Sequence, residues 1–332
     1  MNAATASEPP LAHDEEFDQP HWVARSAFPF LVLAFVINQA LLYYALANHL
    51  VWLTVIMVLV CCHLMHGFLI GFHEASHGLL RKNRLLNDFD GVLLGTLSFM
   101  SFTLYRAAHQ THHMHLGNVK DEELWPFNDP ARPRWQRVLA AMLELNLGMF
   151  FTPFLFLRVF LRKDSPIRSR KVRRRIWLEI AGMLAFWTVL LSIDAYFGLW
   201  KYFLWTFFVP AVIAGNLQSW RKYIEHVGLT GTTVRAGTRS IVSDTFAGRL
   251  FAFTLLHEPY HGVHHLHAGL THAELPSRRA SLQPTDPDEF APFHSYRQAL
   301  WHLLGCLADP RVGPQWKVAP RPSADIPEAR SA

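Results

Sequence analysis

Four long apolar runs decide what this chain can fold into. They are Ala27 to Ala47, Leu50 to Phe72, Ile176 to Phe197 and Tyr202 to Trp220. Each is close to the ~20 residues that carry a helix across a ~30 Å hydrocarbon core. Inside lipid the backbone must satisfy its own polar groups, so such runs form helices. Only a few residues separate the members of each pair, which predicts two tight hairpins, each returning to the side it left. The expected fold is all-α and integral to the membrane, with four transmembrane helices in two hairpins. Composition agrees: 51% of residues are hydrophobic and 17% charged, against the ~25% charged of a soluble domain.

Two further apolar runs fit less well. Gly91 to Leu104 is short for a crossing. Val138 to Leu161 carries Glu144, Asn146, Pro153 and Arg158, and a charge at the bilayer centre costs roughly 2.5–3.5 kcal/mol. Both are expected to be re-entrant or interfacial. Arg162, Lys163, Arg168, Arg170, Lys171, Arg173, Arg174 and Arg175 precede the third span. Positive residues stay inside, so this segment is assigned to the cytoplasm, along with both termini. The basic run is a topology signal that also touches anionic headgroups. With no aromatic-interleaved basic surface, no nucleic-acid partner is expected. Residues 1–20 hold Glu8, Asp14, Glu15, Glu16 and Asp18 and no basic residue, the opposite of a secretory signal. Three segments follow: a disordered leader over 1–25, a membrane domain over 26–276, and a polar tail over 277–332. The tail is expected to form a short amphipathic helix around His294 to Leu307. Cys61, Cys62 and Cys306 make no disulfide framework or zinc spacing.

The chain has 20 histidines, and neutral imidazole is the commonest protein metal ligand. His73 and His77 stand at i and i+4 at the cytoplasmic end of the second span. His109, His112 and His113 stand at i, i+3 and i+4, and His261, His264 and His265 repeat that spacing. On a helix these positions share one face. The first cluster follows two spans, the second follows it without a full crossing, and the third follows a further hairpin. All three therefore emerge on the cytoplasmic face. Eight histidines exceed the four ligands of structural zinc or the three of catalytic zinc, which argues for two metals. His115 and His267 point away by helical angle, and His66 is read as a buried residue that either supports a ligand or packs. His226, one turn beyond the fourth span, is a ninth candidate. Ligating imidazoles give their second N–H to a carboxylate or carbonyl. Glu74, Asp121, Glu122, Glu225, Asp244 and Glu258 could serve, and the direction of His257 is open.

With these motifs the chain resembles the membrane fatty-acid desaturase superfamily, which includes lipid hydroxylases, carotenoid ketolases and, more distantly, alkane hydroxylases. The resemblance runs from about residue 25 to 276 and is carried by His73–His77, His109/His112/His113 and His261/His264/His265. The H-x-x-x-H first box is similar to that of acyl-lipid desaturases. Tyr223 to Leu229 looks like the segment that adds a histidine ligand in alkane hydroxylases. The resemblance implies nine iron ligands, the eight histidines above plus His226. It implies a helical stem under a cytoplasmic helical cap holding a di-iron site. It also implies O2 as co-substrate, an acyl-chain or other lipid substrate, and electrons from a separate ferredoxin, rubredoxin or similar carrier with its reductase. The favoured activity is desaturation of an acyl chain, ahead of hydroxylation or ketolation.

Two other classes remain to be weighed. His73-Glu74-x-x-His77 also reads as a zinc-protease motif with Glu74 as general base, although this leaves the other histidines idle. A histidine-rich metal transporter would need polar pairs inside the spans, and the second and fourth show little of that.

Overall fold

The computed structural model describes residues 21–317. Residues 1–20 of the expected leader, and the tail beyond 317, lie outside the described residues. Every regular element among those described is helical, and the one β-bridge joins Ile241 to Phe293. The elements run α1 (His21–Arg25), α2 (Ala27–Ala47), α3 (Val51–His77), α4 (Arg84–Leu97), α5 (Phe102–Met114), α6 (Arg134–Leu161) and α7 (Arg170–Phe197). Then come α8 (Trp200–Phe203), a π-helical turn (Leu204–Phe208), α9 (Val209–His226), α10 (Phe246–Thr254), α11 (His261–Leu266) and α12 (Tyr296–Leu304).

Four of these helices are long and apolar enough to cross a membrane: α2, α3, α6 and α7. Leu33, Val36 and Ile37 of α2 and Leu184 and Val189 of α7 are exposed. An apolar helix whose outward face is itself apolar is suited to lipid. The set differs from the expectation at two places. The run Tyr202 to Trp220 is helical throughout, but a π-turn divides it, and α9 ends in Arg221, Lys222, Glu225 and His226. The run Val138 to Leu161, expected to be re-entrant or interfacial, lies within α6, which meets the length and apolarity of a span.

Its polar residues are matched by partners far along the chain. Glu144 is ion-paired with Lys222 and accepts from the Tyr223 hydroxyl at 3.0 Å. The Arg158 guanidinium covers the Trp125 ring at 3.5 Å. At Leu147 the backbone leaves helical geometry (φ −129°, ψ 31°). There Asn216 of α9 accepts from Gly148 N and donates to the Asn146 carbonyl, both at 2.9 Å. One amide side chain thus replaces the helical bonds the kink breaks.

Local signals place the histidine-bearing helices. Gly78, at φ 79°, ends α3 immediately after His77, the left-handed position that favours glycine. The run Gly91 to Leu104 divides into α4 and α5 at residues 98–101. Ser101 then caps α5, its hydroxyl accepting from Leu104 N. α5 carries the second histidine cluster and α11 the third. The loop over 116–131 and the segment over 308–317 form one layer beside them. Val312 N and the Trp316 indole N–H both donate to the Phe127 carbonyl, and the Gln315 amide donates to Gly117 and Asn128 carbonyls.

Candidate metal centre

The structure brings all nine histidines singled out above together, in two adjoining groups. In the first, His73, His77, His109, His113 and His264 turn their imidazoles to one point. The Nε2 of His109 lies 2.8 Å from that of His73, 3.0 Å from His77 and 3.1 Å from His113, and His113 lies 3.1 Å from His264. In the second, His112, His226 and His265 converge, and His261 Nε2 lies 2.8 Å from His226 Nε2 and 3.0 Å from His265 Nε2. The groups share a wall, where the rings of His113 and His265 stack at 4.3 Å.

The other ring nitrogens show what these points are for. His109 Nδ1 donates to Glu123 at 2.7 Å and His112 Nδ1 to Asp121 at 2.9 Å. His226 Nδ1 donates to the Gly237 carbonyl at 3.1 Å, and His261 Nδ1 to Glu258 at 2.9 Å. An imidazole that donates through Nδ1 is left with a bare lone pair on Nε2. His226 and His261 therefore direct two lone pairs at each other across 2.8 Å. No hydrogen bond forms there, and only a cation makes the arrangement favourable. Burial holds His109, His113, His264 and His265 below the ordinary imidazole range, and His261 at about 4. Neutral rings are the ligating form. The donor set fits two borderline transition-metal ions held by nitrogen.

Of the expected supporting groups, Asp121 and Glu258 orient histidines directly. Asp121 also accepts from Gly117 N at 2.9 Å and Glu123 N at 3.1 Å, which folds its loop back under α5. Glu225 is gripped by Arg221 at 2.8 and 2.6 Å and lies 3.6 Å from His261 Nε2. Glu74 is fully buried near His73 and Glu258, and one of its oxygens accepts from His272 N. Three candidates do not reach the histidines. Glu122 pairs with Arg162. Asp244 is exposed and pairs with Arg279. His257 stacks on His272 at 6.1 Å. His115 and His267 cap the ends of α5 and α11.

Glu123 and Arg221 were not anticipated. Asp121, Glu122 and Glu123 are consecutive acids, and only the turn closed by Asp121 sends the first and third inward and the second toward Arg162. Leu256 and His257 hold φ at 50° and 55° without being glycine, a conformation costing about 1–3 kcal/mol each. This strained turn between α10 and α11 delivers Glu258 to the site.

An apolar helical chain with two buried imidazole groups defines the class: a membrane-type protein with histidine groups of a kind that can hold metal ions. A family model described as fatty acid desaturase matches residues 48–297, well over half of the chain, and the chain belongs to that family. Among curated relatives it is 28% identical over 103 residues to a Synechocystis sp. protein named sn-1 acyl-lipid omega-3 desaturase (ferredoxin). That match covers 31% of this chain and 27% of the relative. It is 28% identical over 102 residues to a Glycine max omega-3 fatty acid desaturase, chloroplastic (30% and 21% covered). It is 25% identical over 130 residues to a Momordica charantia Delta(12) acyl-lipid conjugase (11E,13E-forming) (34% and 33% covered). The matches span a third or less of these relatives' length.

Proposed function

We propose that this chain is a membrane di-iron oxidoreductase that uses O2 to introduce a double bond into a lipid-borne acyl chain. The single observation behind this reading is the gathering of nine imidazoles from three motifs and the end of α9 into two groups. His73, His77, His109, His113 and His264 would hold one iron, and His112, His226, His261 and His265 the other. Two iron ions so held would supply the redox chemistry needed to reduce O2 and oxidise an unactivated C–H bond. The chain's own part is to fix and shield them. Glu123, Asp121, Glu258 and the Gly237 carbonyl lock the tautomers of His109, His112, His261 and His226 through Nδ1. Tyr105 stacks on His109 at 5.2 Å and meets Phe156 at 5.3 Å, an aromatic wall that keeps water from the first group.

Sidedness is part of the proposal. His113 and His265 touch, so the chain between them crosses the bilayer an even number of times. Both ends of α6 meet the layer beside the histidines. Arg137 bonds to Asp309 and Pro310 at one end, and Arg158 and Arg162 bind Trp125 and Glu122 at the other. A re-entrant α6, its two ends at the layer beside the histidines and its kinked middle packed against Gly215 and Asn216 of α9, satisfies both facts. The crossings are then α2 with α3, and α7 with the helix over 200–226, as two hairpins. The histidines and both termini lie on the cytoplasmic side, in a helical cap. Names of relatives that specify acyl-lipid substrates and ferredoxin support those partners here, with an external carrier delivering the electrons.

The test is lipid profiling of a host that expresses the full chain with a ferredoxin and its reductase. The expected result is a new acyl double bond, absent when His264→Ala is expressed at equal level. A hydroxylated acyl chain or an altered carotenoid would move the assignment to hydroxylation or ketolation. An iron-loaded protein with a working donor that changes no lipid would overturn it.

A further inference from the structure

Among the described residues, Glu258 is the carboxylate that places one oxygen against a histidine Nδ1 of each group. Its Oε1 accepts from His261 Nδ1 at 2.9 Å, and His261 belongs to the second group. Its Oε2 lies 3.3 Å from Nδ1 of His73, which belongs to the first. Those two atoms, His73 Nδ1 and Glu258 Oε2, are both buried and both lack a hydrogen-bond partner. They lie within ion-pair distance of each other but out of line for a hydrogen bond. The carboxylate is completely buried, and its charge is matched by the Arg221 guanidinium, which also grips Glu225. Behind it, the left-handed Leu256–His257 pair fixes the direction from which it arrives. By contrast, Glu123 reaches only His109 in the first group, and Asp121 only His112 in the second.

We propose that Glu258 couples the two groups, so that they take up metal cooperatively. This rests on reading the nine histidines as a two-metal centre. An ion held at His73 Nε2 would fix that ring with Nδ1–H in line with Oε2, turning the 3.3 Å contact into a hydrogen bond. That bond would pin the carboxylate, holding Oε1 on His261 and setting the second group for its own ion. A ligand that preorganises the site of another binds with positive coupling, and the coupling is reciprocal. Coupling of this kind is worth about 5–150-fold in affinity.

The full chain, stripped of metal in detergent, is titrated with Co(II). Native mass spectrometry counts chains carrying none, one or two ions. In the wild type, singly loaded chains should stay well below the statistical proportion, and the second ion should bind about tenfold more tightly than the first. Glu258→Gln should lower both affinities, roughly 10–100-fold, and return singly loaded chains to the statistical proportion. Glu123→Gln should weaken one ion only. If Glu258→Gln does not fold, Glu258→Asp serves. It keeps the charge beside Arg221 but is one methylene too short to reach both rings. Independent loading by the wild type, or an unchanged ratio in either Glu258 variant, overturns the coupling. A wild type that binds fewer than two ions overturns the two-metal reading as well.

Discussion

Asp121 shows how much one side chain in this site is asked to do. Its carboxylate accepts from His112 Nδ1, Gly117 N and Glu123 N, so it orients that imidazole and folds the loop that carries a second orienting acid. An amide in its place loses acceptor capacity and turns an N–H toward groups that are themselves donors. Asp121→Asn is therefore expected to lower metal affinity 10–100-fold and to destabilise the chain by about 1–3 kcal/mol. Glu122→Gln, one residue on, should leave metal affinity unchanged. It should cost about 0–1 kcal/mol, because the Arg162 partner is partly exposed. Metal content after dialysis and a thermal midpoint in detergent measure both. Equal metal loss in the two variants would contradict the orientation seen here. The histidines themselves were legible, since i, i+3 and i+4 spacing survives any tertiary arrangement. Which of three consecutive acids turns inward was not, because a tight turn decides it and no periodicity records it.

At the scale of elements, α6 against α9 is where sequence and structure part most. Glu144, Asn146, Pro153 and Arg158 argue against an embedded helix when read along the chain. Lys222 and Tyr223 answer Glu144 and Trp125 covers Arg158, all distant in sequence, while the Asn146 amide donates to the Met142 carbonyl within the helix. The contact is close because it is made of small residues. A Cβ added at Gly215 would lie 2.9 Å from Met149 N and Cα, and one at Gly148 would lie 2.7 Å from the Gly215 carbonyl. Small residues at a helix crossing allow this approach. Gly215→Ala must push two backbones apart and should destabilise the chain by about 1–3 kcal/mol, as overpacking does. Gly182 on α7 meets nothing within 4 Å. There the same change should be neutral or stabilise by up to about 1 kcal/mol, from helix propensity alone. Thermal midpoints of the two variants in one detergent give the comparison, and similar losses at both positions would rule out a close α6–α9 contact.

For the molecule as a whole, the apolar runs made the class of fold visible, and the histidine spacing made the site visible. The way one depends on the other was not visible. α3, α5, α9 and α11 meet at the imidazole groups, and facing lone pairs such as those of His226 and His261 oppose that meeting unless a cation lies among them. A ligand that binds the folded state alone stabilises it by RT ln(1 + [L]/Kd), about 2.7 kcal/mol per site at a hundredfold excess over Kd. Stripping the metal with a chelator should therefore lower the thermal midpoint substantially, and the loss should be local in origin. α2 and α7, which place no residue in either group, should keep their helicity. The strained turn at Leu256–His257 and α11, which follows it, should be the first backbone to gain hydrogen exchange. Adding Fe(II) back under anaerobic conditions should restore both the midpoint and the protection. If the stripped protein melts where the loaded one does and exchanges no faster at residues 256–266, the imidazoles are held together by the helices alone, and metal is a passenger in a preformed site.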